Sequence, residues 1–223
     1  TYYLLPTTYY LLPTTYYLLP TTYYLLPTTY YLPLQTTMNN LFTGKLTRLV
    51  AQDVDKMGAV IARWSRDSEF YQLFDSDPTR PRNAKRAQEQ MRDYAEKNQP
   101  GNFSFAVVRL EDERIIGEGG LFDALSPHRN AWLAIGIGER ELWGKGYGTD
   151  AVQILLRFGF QELNLHRINL GVFGYNARAI RAYEKIGFVH EGAWRDALKR
   201  EGKRWDSIGM GILKSEWEAK QNE

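Results

Sequence analysis

Proline returns every seven residues at the start of this chain, and that spacing forbids a helix there. Residues 1–28 are four identical copies of Thr-Tyr-Tyr-Leu-Leu-Pro-Thr, and a fifth decays through Thr29, Tyr30, Tyr31, Leu32 and Pro33. Proline lacks the amide that a helix needs and clashes with the preceding turn, so a coiled coil is excluded. An extended, aromatic-rich arm is the structural reading. The genetic code offers a simpler origin: the nucleotide unit ACCTACT, read in triplets through tandem copies, encodes this same peptide without a stop. The first methionine, Met38, follows directly on the decay, and all 28 basic and 26 acidic side chains lie after residue 37. The expectation is that residues 1–37 are upstream sequence and that translation begins at Met38; the alternative is an adhesive or assembly arm. Either way the arm is set aside from the fold. If translated, its uncharged Tyr/Leu content is an aggregation liability tempered by the prolines. Intact-mass measurement of the native protein checks this: a species beginning at Met38 is expected, and one carrying the repeat overturns it.

Met38 to Glu223 has the length of a single domain. The chain has no cysteine, which excludes a disulfide framework, a thiolate metal site and a cysteine nucleophile. Its three histidines, His128, His166 and His190, are scattered, so no metal site is expected. A net charge of +2 gives no argument for nucleic acid or an anionic membrane. No apolar run reaches the roughly 18 residues of a membrane span, and no secretory signal is visible. A cytoplasmic location is expected.

Periodicity and turn residues set out the elements. Lys45–Ala51 alternates as a strand, and Asp53 is a plausible cap for a helix through about Arg66. Residues 67–83 read as a polar loop studded with aromatics, followed by a charged helix over Ala84–Lys97 that Pro100-Gly101 stops. Phe103–Leu110, Arg114–Phe122 and Arg129–Gly138 read as an antiparallel meander. A helix over Gly146–Leu163 and a strand at Arg167–Phe173 complete a βαβ unit, which requires a parallel pair. Asn176 caps a helix that runs to Ile186, with Gly187 beyond its end. Val189–Leu198 and Arg204–Leu213 form a last hairpin turning at Arg200–Lys203. The fold class is α/β (an α+β mixed sheet), mostly antiparallel with flanking helices.

The turn Leu142-Trp143-Gly144-Lys145-Gly146-Tyr147-Gly148-Thr149 carries the chemistry. Glycines let backbone approach a ligand closely, and a helix start offers unpaired amides at the positive end of its dipole. Together these suit a phosphate or pyrophosphate. Five residues separate Gly138 from Gly144-Lys145, and Gly146 stands where a P-loop has Ser/Thr. A dinucleotide fingerprint also fails, because the spacing is G-x-G-x-G and the preceding strands are antiparallel. Some thirty residues on lies Asn176-Ala177-Arg178-Ala179…Tyr183-Glu184-Lys185-Ile186-Gly187-Phe188. The two segments together resemble the GNAT superfamily of acyl-coenzyme-A-dependent N-acetyltransferases. The forms WGKGYGTDA and EGAWRDALKREGKRWDSIGMGIL are similar to its ribosomal-protein-alanine acetyltransferase branch. The likeness covers about residues 45–215, with Trp143 departing from the Arg or Gln that commonly opens the loop.

That resemblance implies acetyl-CoA as co-substrate, no metal, and a GNAT fold in which one parallel pair splays apart. Trp143, Gly144, Lys145, Gly146, Tyr147 and Gly148 are then expected to hold the coenzyme pyrophosphate. Ile135 and Ile137 are expected beside the pantetheine arm, with an amide near Ile137 polarising the thioester carbonyl. Asn176 is expected to cap its helix and also to contact the coenzyme, the alternative being capping alone. Tyr183 is expected to protonate the leaving thiolate, the alternative being plain packing. The acceptor is a primary amine, either a protein N-terminus or a small molecule, attacking directly in a ternary complex; the alternative is an inactive coenzyme-A-binding module. Relatives carry a carboxylate where Trp132 stands, which leaves Glu118, Glu139 and Asp206 as candidate bases, each also readable as an ordinary surface acid. Helix 53–66, loop 67–83 and hairpin 190–206 are expected to form the acceptor pocket, with Trp64, Phe70, Tyr71, Phe74, Trp194 and Trp205 as candidate lining. A homodimer is compatible with the resemblance, whereas nucleic acid and membrane partners are not expected.

Overall fold

The computed structural model describes residues 40–97 and 100–221. The repeat and Met38 lie outside the described residues, and so does the expectation about where translation begins.

The described chain runs β1 (Thr47–Ala51), α1 (Val54–Trp64), α2 (Ser68–Phe74), α3 (Ala84–Glu96), β2 (Phe103–Arg109), β3 (Ile115–Phe122), β4 (Asn130–Ile137), a 3₁₀ turn (Arg140–Leu142), α4 (Tyr147–Arg157), a π turn (Phe158–Glu162), β5 (Arg167–Phe173), α5 (Ala177–Ile186), β6 (Val189–Arg200), β7 (Lys203–Leu213) and α6 (Lys214–Gln221). The strands form one sheet in the order β1-β2-β3-β4-β5-β7-β6. The first four are antiparallel neighbours, β4 and β5 are parallel, and β5, β7 and β6 are antiparallel again. This is the mixed, mostly antiparallel sheet expected.

Two expectations need correction, and one element was not foreseen. Residues 67–83 are not all loop: the Asp67 carboxylate accepts from the amides of Glu69 and Phe70, starting a two-turn helix that buries Phe70 and Tyr71. The helix after the glycine turn is α-helical only to Arg157 and widens to a π turn over Phe158–Glu162. Helix α6 was unanticipated; its anchor is Trp217, buried with its ring 5.4 Å from that of Phe160. A long apolar run fixes neither the hydrogen-bond step of a helix end nor the docking of a short polar helix.

Hydrophobic residues sort onto two faces. Ala106 and Val107 are neighbours in β2, yet Val107 joins the large cluster around α4 and Ala106 the smaller one under α1, α2 and α3. The hairpin turn needs φ > 0 at both central residues, met by Glu201 (φ 50°) and Gly202 (φ 76°).

One buried carboxylate joins the first strand to the glycine-turn helix. Asp150 of α4 accepts from the amides of Lys45 (2.8 Å), Leu46 (3.0 Å) and Thr47 (2.9 Å) and from the Thr47 hydroxyl (2.7 Å). A side chain at Gly44 would strike that carboxylate at 2.3 Å. Asp150→Ala strands these donors inside the protein. The expected loss is about 3 kcal/mol, read as a lower denaturation midpoint at unchanged m-value.

Candidate active site

Strands β4 and β5 pair over only three residues: Asn130 with Arg167, Ala131 with Ile168 and Trp132 with Asn169. Beyond Trp132 they part around a cleft of about 470 Å³, lined on one side by Leu133–Ile137 and on the other by Gly171–Phe173. The amide of Gly138 donates to Ile116 of β3 at 2.9 Å. Backbone groups alternate sides along a strand, so the amides of Ile135 and Ile137 face the opening. Both residues line it.

The glycine turn closes one end. Gly144 (φ 75°) and Gly146 (φ 91°) take left-handed backbone that a side chain would strain, and no atom lies within 4 Å of a Cβ built on Gly144. Gly146 is the N-cap of α4, and Asp150 is the first to donate back to it, at 2.9 Å. The amides of Tyr147, Gly148 and Thr149 therefore precede the helical ladder and carry the positive end of its dipole. Trp143 explains its own departure from the usual residue. Its indole N–H donates to the Ile137 carbonyl at 2.6 Å, and the Arg178 guanidinium lies 4.0 Å from its ring centroid. Thus Trp143 ties the turn to the strand beside it. Lys145 is exposed and does not line the cleft, whereas Arg178, Arg181 and Lys185 of α5 do. Burial holds the Arg178 guanidinium below its ordinary range.

Helix α5 supplies the opposite wall. The Asn176 side chain is buried and engaged at both ends: Oδ1 accepts from the Ala179 amide at 3.2 Å, and Nδ2 donates to the Leu73 carbonyl at 3.4 Å. Tyr183 lines the same cleft, edge-on to Phe188 at 5.7 Å, and burial pushes its phenol up to about 12. Helix α2 covers the cleft and is held at both ends. Arg140 pairs with Asp67 and Glu69 and holds the Asp67 carboxyl below the usual range. The Tyr175 hydroxyl donates to Gln72, and Arg200 Nη2 donates to the carbonyls of Asp75 (2.9 Å), Ser76 (2.8 Å) and Asp77 (3.2 Å). So fixed, Phe70 and Phe74 stack at 5.3 Å over β4, where a Cβ on Gly136 would meet Phe74 at 2.6 Å.

A family model for an acetyltransferase (GNAT) domain matches residues 45–189. The chain belongs to the GNAT acetyltransferase family. Among its GNAT relatives is the uncharacterized N-acetyltransferase p20 of Bacillus licheniformis, 30% identical over 183 residues that cover 81% of this chain and 99% of the relative. The spermidine N(1)-acetyltransferase of Vibrio cholerae is 34% identical over 111 residues, 50% of this chain and 64% of that protein. A crystal structure of spermidine N-acetyltransferase from Vibrio cholerae in complex with CoA and spermine superposes with a TM-score of 0.68 at 25% identity, covering 77% of this chain and 98% of that one. The chain is accordingly an N-acetyltransferase of the GNAT fold, a family that moves acetyl groups from acetyl-CoA to amines.

The GNAT cleft brings together Ile135, Ile137, Trp143, Gly144, Gly146, Tyr147, Gly148, Asn176 and Tyr183 from the sequence reading, and leaves Lys145 outside. The three candidate acids separate. Glu139 is buried and committed to Arg63 and to the Trp64 indole N–H at 2.9 Å. Asp206 accepts from the Asp196 amide at 3.0 Å and holds a bulge in the hairpin. Glu118 lies beside Gly136 in register, forms no hydrogen bond or ion pair among the described residues, and has its carboxyl pushed up by burial while Arg82 pulls the other way. Of the candidate aromatics, Trp64 and Tyr71 are core, Phe70 and Phe74 face the cleft, Trp205 packs edge-on against Tyr175, and Trp194 is exposed. None of the histidines lines the cleft; His166 bridges Arg129 and Lys214 through its backbone. The sequence reading missed Arg178, Arg181 and Lys185, although their spacing in the α5 motif puts them on adjoining turns. Gly146→Ala forces a side chain into left-handed backbone at the helix start. Calorimetry is expected to show acetyl-CoA binding about tenfold weaker, with a stability loss of about 1–2 kcal/mol.

Proposed function

We propose that this chain acetylates a primary amine by direct attack on acetyl-CoA within a ternary complex. One observation carries the reading. A single cleft has main-chain donors along β4, the positive start of α4 at one end, and a protonated phenol in its wall. The free space at Gly144 and the guanidinium and ammonium groups of Arg178, Arg181 and Lys185 suit a phosphorylated ligand. The amides of Gly146, Tyr147 and Gly148 would hold the pyrophosphate. The Ile135 and Ile137 amides would flank the pantetheine arm, and the Ile137 amide would face the thioester oxygen. The expectation for Asn176 becomes indirect: with both ends of its amide engaged, it fixes α5 and α2 around the site.

In the reaction a C–N bond forms and the C–S bond breaks. The amine must be neutral to attack, and its proton passes to a base; the thiolate leaves and takes a proton from the Tyr183 hydroxyl. With its phenol near 12, Tyr183 stays protonated at neutral pH and acts as donor only. Glu118 does not itself line the cleft but lies beside Gly136, which does, and it is the proposed base, reached through water. Its raised carboxyl is a better proton acceptor than an ordinary glutamate and is lost to protonation earlier as pH falls. The spermidine enzymes among the relatives support a small-molecule acceptor. Because the donor is acetyl-CoA, we assign the reaction to the cytoplasm.

Thiol release from acetyl-CoA across an amine panel tests the activity; coenzyme binding without turnover on any amine would leave only a binding module. Tyr183→Phe is expected to lower kcat about 100-fold with little change in acetyl-CoA affinity. Wild-type kcat/KM should fall on the acid side through a pKa above the usual glutamate range, and Glu118→Gln should remove that limb. A raised folded-state pKa means that stability is lost as pH rises through it, so Glu118→Gln should melt higher than wild type at neutral pH. A variant that keeps the acid limb takes Glu118 out of the role.

A further inference from the structure

A second groove, of about 440 Å³, opens where the first one begins. Side chains alternate along a strand, so Trp132 and Ala134 share a face of β4, and Asn169 and Gly171 share a face of β5. Ala134 and Gly171 line the first cleft, Trp132 and Asn169 the second. The linings of the two spaces are therefore neighbours along both strands at the point where β4 and β5 part. Across the second groove stand two large exposed indoles, Trp132 at 44% and Trp194 at 57%. Two of the lining residues, Gly192 and Gly209, carry no side chain, and a Cβ on Gly209 would touch the Trp194 ring at 3.2 Å. The charged lining residues are Arg167 and Glu191, and they neutralise each other in an ion pair, while Arg167 Nε is taken up by Asn169.

Resting on the activity proposed above, we propose that this groove holds the body of the acceptor, and that the acceptor is a small monoamine with a flat aromatic body. Two indole faces and a glycine floor stack a planar apolar group, and the amino group then points past Ala134 and Gly171 toward the thioester. A polyamine fits poorly. Each further ammonium would need a carboxylate, and Glu191 is already committed to a guanidinium that repels cations. This sets the chain apart from its polyamine-acetylating relatives.

The test measures turnover and binding separately. In the thiol-release assay, 2-phenylethylamine should exceed both spermine and n-butylamine in kcat/KM by about tenfold, and Trp132→Ala and Trp194→Ala should raise its KM about tenfold. Calorimetric affinity for acetyl-CoA should stay within about twofold in both variants, because neither indole lines the first cleft. Titration of 2-phenylethylamine into the coenzyme-A-loaded protein should quench tryptophan fluorescence saturably, and Trp194→Ala should abolish much of that change. Preference for spermine, or an equal effect of the variants on every amine, overturns the proposal and leaves the activity standing. Saturable quenching without turnover of any amine overturns the activity and leaves the groove assignment standing. Absence of quenching in the loaded wild type overturns the groove assignment whatever the turnover.

Discussion

The parting of β4 from β5 is the constraint around which the rest of the domain is arranged. A strand in mid-sheet normally spends its amides on two neighbours, and unpaired backbone polar groups inside a protein are costly. Here the parallel ladder stops after Trp132 and Asn169, and the next stretch of β4 is left with strand partners on one side only. The gap persists because both strands are held elsewhere, β4 by six register pairs with β3 and β5 by seven with β7. A ligand with carbonyl and amide groups in series can complete the ladder, which suits the gap to the acyl-donor role we propose for it.

Everything near the opening is braced from behind. Asp150 fastens the start of β1 to α4, so the helix that presents the glycine turn cannot rotate freely. Trp143 fastens the turn to the Ile137 carbonyl, and Asn176 with Tyr175 fastens α5 to α2. These contacts preorganise main-chain donors, which act at full strength when they need not reorient. Glu118 is the counterexample: a carboxylate without a hydrogen-bond partner among the described residues, kept in a position that costs stability, as groups held for chemistry often are.

The position of Trp132 shows how the same fold can be turned to different acceptors. It stands in β4 where the chain leaves the parallel ladder, with an indole open to solvent. An apolar surface in that place changes what the outer groove can recognise without disturbing the donors of the first cleft. On the proposal made above, specificity and acyl-donor binding are carried by separate residues on one strand.

The sequence by itself determined the order of the main elements along the chain, the meander and last hairpin, the caps at Asp53 and Asn176, the C-terminal glycine Gly187 and the glycine turn, because each is written in neighbouring residues, whereas the insertion of β7 between β5 and β6 was decided by the tertiary structure. The GNAT motifs were legible for the same reason: they are local runs with fixed spacing. Helices α2 and α6 were not legible, since each depends on burying one or two aromatic rings against elements distant in the chain. Only the tertiary structure decided which acid has no partner among the described residues, because Glu118, Glu139 and Asp206 look alike until Arg63, Trp64 and the Asp196 amide are seen to occupy two of them. It also decided that Arg178, Arg181 and Lys185 share a cleft with the glycine turn, and that Trp132 shares a groove with Trp194. Ionisation and recognition depend on distance through space, and a linear sequence carries that information only where a helix or strand period supplies it.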